Sequence, residues 1–159
     1  MSLWLDPLST DDFARVAHIT VAPAQIKFSG TVAEAFETAE PGVDFHAIVE
    51  GDTPVGFFKI DRDYAQRYPF AAPDGLGLRA FLIDHAQQGR GLATRAVRAL
   101  PAYLARHYIA STLYLTVNLV NAPAIRCYLA GGFTDTGDIW PHGDAGPQHI
   151  MRMDLRTAR

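Results

Sequence analysis

The stretch from 75 to 100, GLGLRAFLIDHAQQGRGLATRAVRAL, constrains this chain more than any other. Phe81, Leu82 and Ile83 form an apolar run that reads as a buried strand. Gln88-Gly89-Arg90-Gly91-Leu92-Ala93 follows as a glycine turn. Leu92, Ala93, Ala96, Val97, Leu100 and Leu104 then recur at helical spacing. Strand, glycine turn and helix together are the layout of a pyrophosphate site. The amides of the turn and of the first helical turn point at an anion, and the helix dipole favours negative charge there. Gly89 and Gly91 let the backbone approach it, because a Cβ would stand between amide and phosphate.

Two familiar phosphate sites do not fit. A P-loop needs Gly-Lys followed by Ser or Thr, and the chain has no such sequence. A dinucleotide fingerprint needs a third glycine or alanine where Thr94 stands, and no βαβ unit opens the chain. With 159 residues, 48% of them hydrophobic and 19% charged, the chain reads as one domain over 1–159 with a substantial core. Its formal charge of -3 gives no basic footprint for nucleic acid. No apolar run reaches membrane length. MSLWLDPLSTDDF carries no basic-then-apolar leader, so a cytoplasmic location is the expectation. The one cysteine excludes an internal disulfide and a cysteine-based zinc site.

In chain order, Leu3-Trp4-Leu5 predicts a short strand, and Ser9 or Thr10 caps a helix carrying Phe13, Val16, Ala17 and Ile19. Thr31 opens a second short helix, with Glu34 at the capping-box position. Strands at 44–50 and 55–61 form a hairpin around Gly51-Asp52-Thr53-Pro54. The segment from Arg62 to Gly77 is irregular and aromatic, with Tyr64, Tyr68 and Phe70; a loop of that length is usually functional. With Trp140, these rings either line an acceptor pocket or cover the sheet edge. Pro101 is expected to kink or break the long helix. Leu113 to Val117 is a strand. Asn121 then caps a helix with Pro123 in its first turn and Gly131-Gly132 at its end, followed by strands at 133–138 and 149–155.

Gln88 to Ala93 matches Gln-x-x-Gly-x-Ala, which resembles the acetyl-CoA signature of the GNAT acyltransferase superfamily. Asn118, Asn121, Ala124, Tyr128, Gly132 and Phe133 match the superfamily's C-terminal signature residue by residue, in the right order and after an intervening strand. Arg79 two places before Phe81, and FLIDHAQQGRGLA, are similar to the spermine/spermidine acetyltransferase-like branch.

The resemblance implies an α/β fold: a mixed, mostly antiparallel sheet of about seven strands with helices on both faces. It implies acetyl-CoA as cosubstrate, no metal, and acetyl transfer to a primary amine by direct attack in a ternary complex. Gln88, Gly89, Arg90, Gly91, Leu92, Ala93 and Thr94 would cradle the pyrophosphate, with Arg90 and Arg95 adding charge. Phe81, Leu82 and Ile83 would pair with the pantetheine amides through their backbone, and a strand N–H near Leu82 or Ile83 would polarise the thioester carbonyl. Asn121 would bond the cofactor arm. Tyr128, two helical turns on and so on the same face, would protonate the leaving thiolate. Many relatives carry a Glu base where Arg79 stands here. That leaves Asp84, His85, Asp61, His46, His142 or water to take the amine proton. Arg79 itself reads as an ion-pair partner for Asp84 or Asp61.

The acceptor is a small molecule or polyamine in preference to a protein. A polyamine would favour an acidic groove, which Asp44, Asp61, Asp63 and Asp84 permit. A homodimer follows from family habit. The competing reading is a non-catalytic acyl-CoA sensor.

Overall fold

A computed structural model describes residues 1–156. Seven strands form one sheet: β1 (Leu3–Leu8), β2 (Val43–Glu50), β3 (Thr53–Asp61), β4 (Leu76–Ile83), β5 (Thr112–Asn118), β6 (Thr134–Trp140) and β7 (Gln148–Asp154). Their order is β1-β2-β3-β4-β5-β7-β6. Every neighbouring pair is antiparallel except β4 and β5, which run parallel. The expected mixed, mostly antiparallel sheet is therefore what the chain forms.

The helices are α1 (Phe13–Val16), α2 (Ile26–Ser29), α3 (Val32–Glu37), α4 (Tyr64–Arg67), α5 (Leu92–His107) and α6 (Ala122–Gly131). Strand alternation sorts the core into two layers. Phe58 and Ile60 face α5, where Val97, Leu100 and Leu104 pack with Met151. Phe45, Ala47 and Phe57 face the other way, against Val16, Ile19, Val32 and Ala35. Adjacent Phe57 and Phe58 are both wholly buried, on opposite faces of one strand. The sheet is covered on both sides, as expected. Among the described residues no helix is long and apolar enough to cross a membrane.

Three local expectations need correction. The first helix begins later and is shorter, since Asp12 folds its carboxylate back to the amide of Ser9 and thereby closes a turn over Ser9–Asp12. Pro101 does not break α5, which continues to His107. Its missing amide costs one ladder bond, and burial of Leu100, Tyr103 and Leu104 on either side outweighs that. The aromatic segment after β3 also contains a helix, α4, that its short length concealed. Thr31 caps α3 as expected, its side chain accepting from the amide of Glu34 at 3.2 Å.

Candidate active site

The site begins with a break in the sheet. β4 and β5 are paired only at Leu76↔Leu113 and Gly77↔Tyr114. Beyond that point the strands part, and the facing edges of both lose their sheet partner. The other edge of β4 stays paired to β3 as far as Gly56↔Ile83. Between Lys59↔Arg79 and Phe57↔Leu82 that ladder sets Ala80 and Phe81 against Phe58 alone. This is a β-bulge, and Ala80 occupies φ 52° within it, a conformation an L-residue adopts only when its surroundings demand it.

Two clefts open there. The first, about 430 Å³, is bounded by Lys59, Arg79, Tyr64, Tyr68, Trp140 and His142 among others. The second, about 390 Å³, is more apolar and runs along Leu82, Ile83, Ala93, Pro123 and Cys127 toward Gln88. They share Gln25, Ser29, Phe81, Ala124 and Tyr128 as a common wall. Tyr128 projects from α6 into this junction, its ring edge-on to Phe81 and to Phe133. Burial holds its phenol above the ordinary tyrosine range, so it stays protonated. Its hydroxyl makes no hydrogen bond among the described residues.

Asn121 precedes α6 and is 6% exposed. It sits at the cap position without capping: its side chain accepts nothing from the helix, and its Oδ1 is buried with no partner. An unmatched buried acceptor costs roughly 1–3 kcal/mol, so a donor arriving from a ligand would find it ready. At the far end of the second cleft, Gly89 and Gly91 hold φ 81° and 73°. A Cβ at either would meet nothing within 4 Å, so backbone conformation demands glycine there and open space lies in front. Arg90, Gly91 and Gly89 are exposed, whereas the Leu92 side chain is core and only its amide faces the turn. The Gln88 side chain donates to the carbonyl of Ile83 at 3.1 Å, tying the turn to the strand end. Thr94 hydrogen-bonds Cys127, whose thiol burial pushes up.

Sequence reading missed two features. Glu50, 8% exposed at the end of β2, takes Arg90 at 2.9 Å and Arg95 at 3.9 Å. Lys59 lines the first cleft. In both cases the signal was available only as strand alternation that sends a charge to an unexpected face.

The proposed bases separate clearly. Asp84 is spent on local structure, accepting from Thr20 and Ala86. It does not pair with Arg79. Asp61 is fully buried and paired with Arg67 and Arg79. His46 lies on the α5 side, bonded to Tyr103 and Tyr108. His85 borders the second cleft, and His142 the first, packed edge-on to Trp140. Arg79 is held by Glu40 at 3.0 Å and Asp61 at 3.2 Å. The hydrogen bond from Arg79 keeps the Glu40 carboxyl below its usual range. Of the aromatic residues, Tyr64, Tyr68 and Trp140 line the first cleft, while Phe70 packs at 5.3 and 5.8 Å from Tyr68 and Trp140.

Known proteins share this architecture. The chain is 25% identical to a spermine/spermidine N(1)-acetyltransferase of Bacillus subtilis over 98% of this chain and all of that protein. AAC(6')-Ib, solved with paromomycin and acetyl-CoA, superposes with a TM-score of 0.79 at 22% identity, covering 99% of this chain and 96% of that one. A spermidine N-acetyltransferase SpeG chimera from Vibrio cholerae and hSSAT superposes with a TM-score of 0.71 at 16% identity, covering 99% of this chain and 98% of that one. The family profile for acetyltransferases of the GNAT type matches residues 11–133, so the chain is a member of the acetyltransferase (GNAT) family.

Proposed function

We propose that this protein transfers an acetyl group from acetyl-CoA to the primary amine of a small molecule held in the first cleft. The observation that carries this reading is the junction: two clefts of different polarity meet at Phe81, Ala124 and Tyr128. The apolar second cleft suits a pantetheine arm, and the exposed turn at its end suits a pyrophosphate. The open edge of β4 at Phe81, Leu82 and Ile83 would hydrogen-bond the arm as a strand does. Asn121 would accept an amide N–H of the arm at its unmatched Oδ1. Gln88 to Thr94 would hold the pyrophosphate through backbone N–H groups, with the two glycines keeping the turn open.

Bound in this way, acetyl-CoA supplies an activated acetyl group at the junction. The acceptor nitrogen must arrive as the free amine, since an ammonium has no lone pair to attack with. His142 borders the acceptor cleft and is the base this reading assigns. A β4 amide near Leu82 or Ile83 would stabilise the developing oxyanion. Tyr128, kept protonated by burial, would donate its Oη proton to the departing sulfur. Bacterial relatives named for spermine and spermidine acetylation, and structural neighbours solved with aminoglycosides, are consistent with an amine acceptor.

The direct test is CoA release by purified protein, screened against polyamines, amino acids, aminoglycosides and peptides. Turnover with at least one amine is expected. CoA binding without turnover on any of them would favour the sensor reading instead.

A further inference from the structure

The charged side chains that line the first cleft are few: Lys27, Lys59, Arg79 and Asp144. Lys27 and Asp144 are exposed and screened by solvent. Arg79 belongs to a closed network. Arg79 and Arg67 face Glu40 and Asp61, with separations of 3.0, 3.2, 2.8 and 3.6 Å, two positive charges against two negative. The network is neutral and its members satisfy one another.

Lys59 stands outside it. It sits on β3 directly across from Arg79 and is 8% exposed. It makes no hydrogen bond or ion pair among the described residues. Burial, and then the neighbouring Arg79 charge, lower its pKa from the ordinary lysine value. Glu40 and Asp61 oppose that shift but are already bound by the two arginines, so three cations share two carboxylates, and at the cleft wall a ligand can supply the missing negative charge. The four aspartates that could have formed an acidic groove for a polyamine do not line this cleft, whose one lining carboxylate is that of Asp144. Asp44 is paired with Arg62, Asp61 is inside the network, Asp84 is a cap, and neither they nor Asp63 borders the cleft.

We infer that the acceptor is a primary amine that also carries an oxyanion, a carboxylate or a phosphate, and that Lys59 binds that oxyanion. The inference rests on the acetyltransferase reading and names its substrate class. The ion pair orients the acceptor with its anionic end at the β3 wall and leaves its amine for the junction at Tyr128. A diamine or polyamine has the opposite sign at its distal end and would meet the excess positive charge of Lys59 and its two arginine neighbours.

The test compares acceptors of similar length: propylamine, 1,3-diaminopropane, β-alanine and 2-aminoethyl phosphate, with α-amino acids as a further set. Oxyanion-bearing amines should exceed the diamine in kcat/KM by about 10-fold or more. The ratio of β-alanine to aminoethyl phosphate separates carboxylate from phosphate. In Lys59→Met the preference should shrink by about 10- to 100-fold, mainly through KM. Lys59→Arg should retain it, and Lys59→Glu should turn it toward the diamine. CoA binding by each variant confirms that it is folded. Preference for the diamine in the unmodified protein, or a Lys59→Met loss confined to kcat and equal for every amine, overturns the inference and leaves acetyl transfer standing. No CoA release with any amine, from protein that binds CoA, overturns the acetyltransferase reading and this inference with it.

Discussion

The ring of Tyr128 stands edge-on to that of Phe81, with centroids 6.0 Å apart and planes at 64°. This contact joins β4 to α6 where the two clefts meet. The aromatic edge-to-face geometry favours one ring orientation and so one direction for the hydroxyl.

Tyr128→Phe keeps that contact and removes only the hydroxyl. We expect kcat to fall about 100-fold, with acetyl-CoA affinity little changed. Steady-state kinetics with calorimetric titration of CoA checks it. An unchanged kcat would remove Tyr128 from the chemistry.

Gly91 combines φ 73° with empty space before it. Gly91→Val should cost about 1–2 kcal/mol of stability from the left-handed conformation alone. It should also weaken CoA binding well beyond that, because the new side chain occupies the approach to the turn. Urea denaturation and CoA titration separate the two effects. Retained affinity would rule the turn out as the phosphate cradle.

Asn121 makes an unusual prediction for a residue at a helix cap. Replacing a working cap by Ala costs about 1 kcal/mol. Here no cap bond exists and Oδ1 is unmatched, so Asn121→Ala should leave the ligand-free protein within about 0.5 kcal/mol of its original stability, or slightly more stable. CoA affinity should fall. Thermal unfolding with and without CoA reads both.

His46 contributes a pH dependence from the core beside α5, where it stacks on Phe58. Its Nδ1 lies 2.6 Å from the Tyr103 hydroxyl and its Nε2 3.0 Å from that of Tyr108. Burial lowers its pKa from 6.5 to about 4. The unfolded chain therefore takes up the proton at higher pH than the folded one. The associated stability is complete above pH 6.5 and is lost as pH falls toward 4, a difference of about 3 kcal/mol. His46→Gln should flatten that part of the profile between pH 7 and pH 4.5 in urea denaturation. An unaltered slope would show that His46 titrates normally.

Much of this was legible in the order of residues. The apolar run at Phe81–Ile83, the glycine turn and the periodic Leu92–Leu104 pattern specify a strand, turn and helix through local sterics and burial. The Gly51-Asp52-Thr53-Pro54 turn likewise identified the β2–β3 hairpin, and Asn121-Ala122-Pro123 the start of α6. The short helix α4 was not readable and α1 was read too long, because four residues carry no full period and their stability comes from neighbours. Pro101 misled for the same reason: its local cost is clear in sequence, and the burial that overrides it is not.

What the sequence determined by itself is therefore most of the elements and their family pattern, both of which depend on spacing along one segment. Only the tertiary structure decided which charges meet. Glu40 joins Arg79 across 39 residues, and Glu50 joins Arg90 across 40. Asp61 is drawn inside and Lys59 is left without a partner at the cleft wall. Electrostatic pairing depends on distance in space and on exclusion of water, and neither is encoded in the spacing of any one stretch.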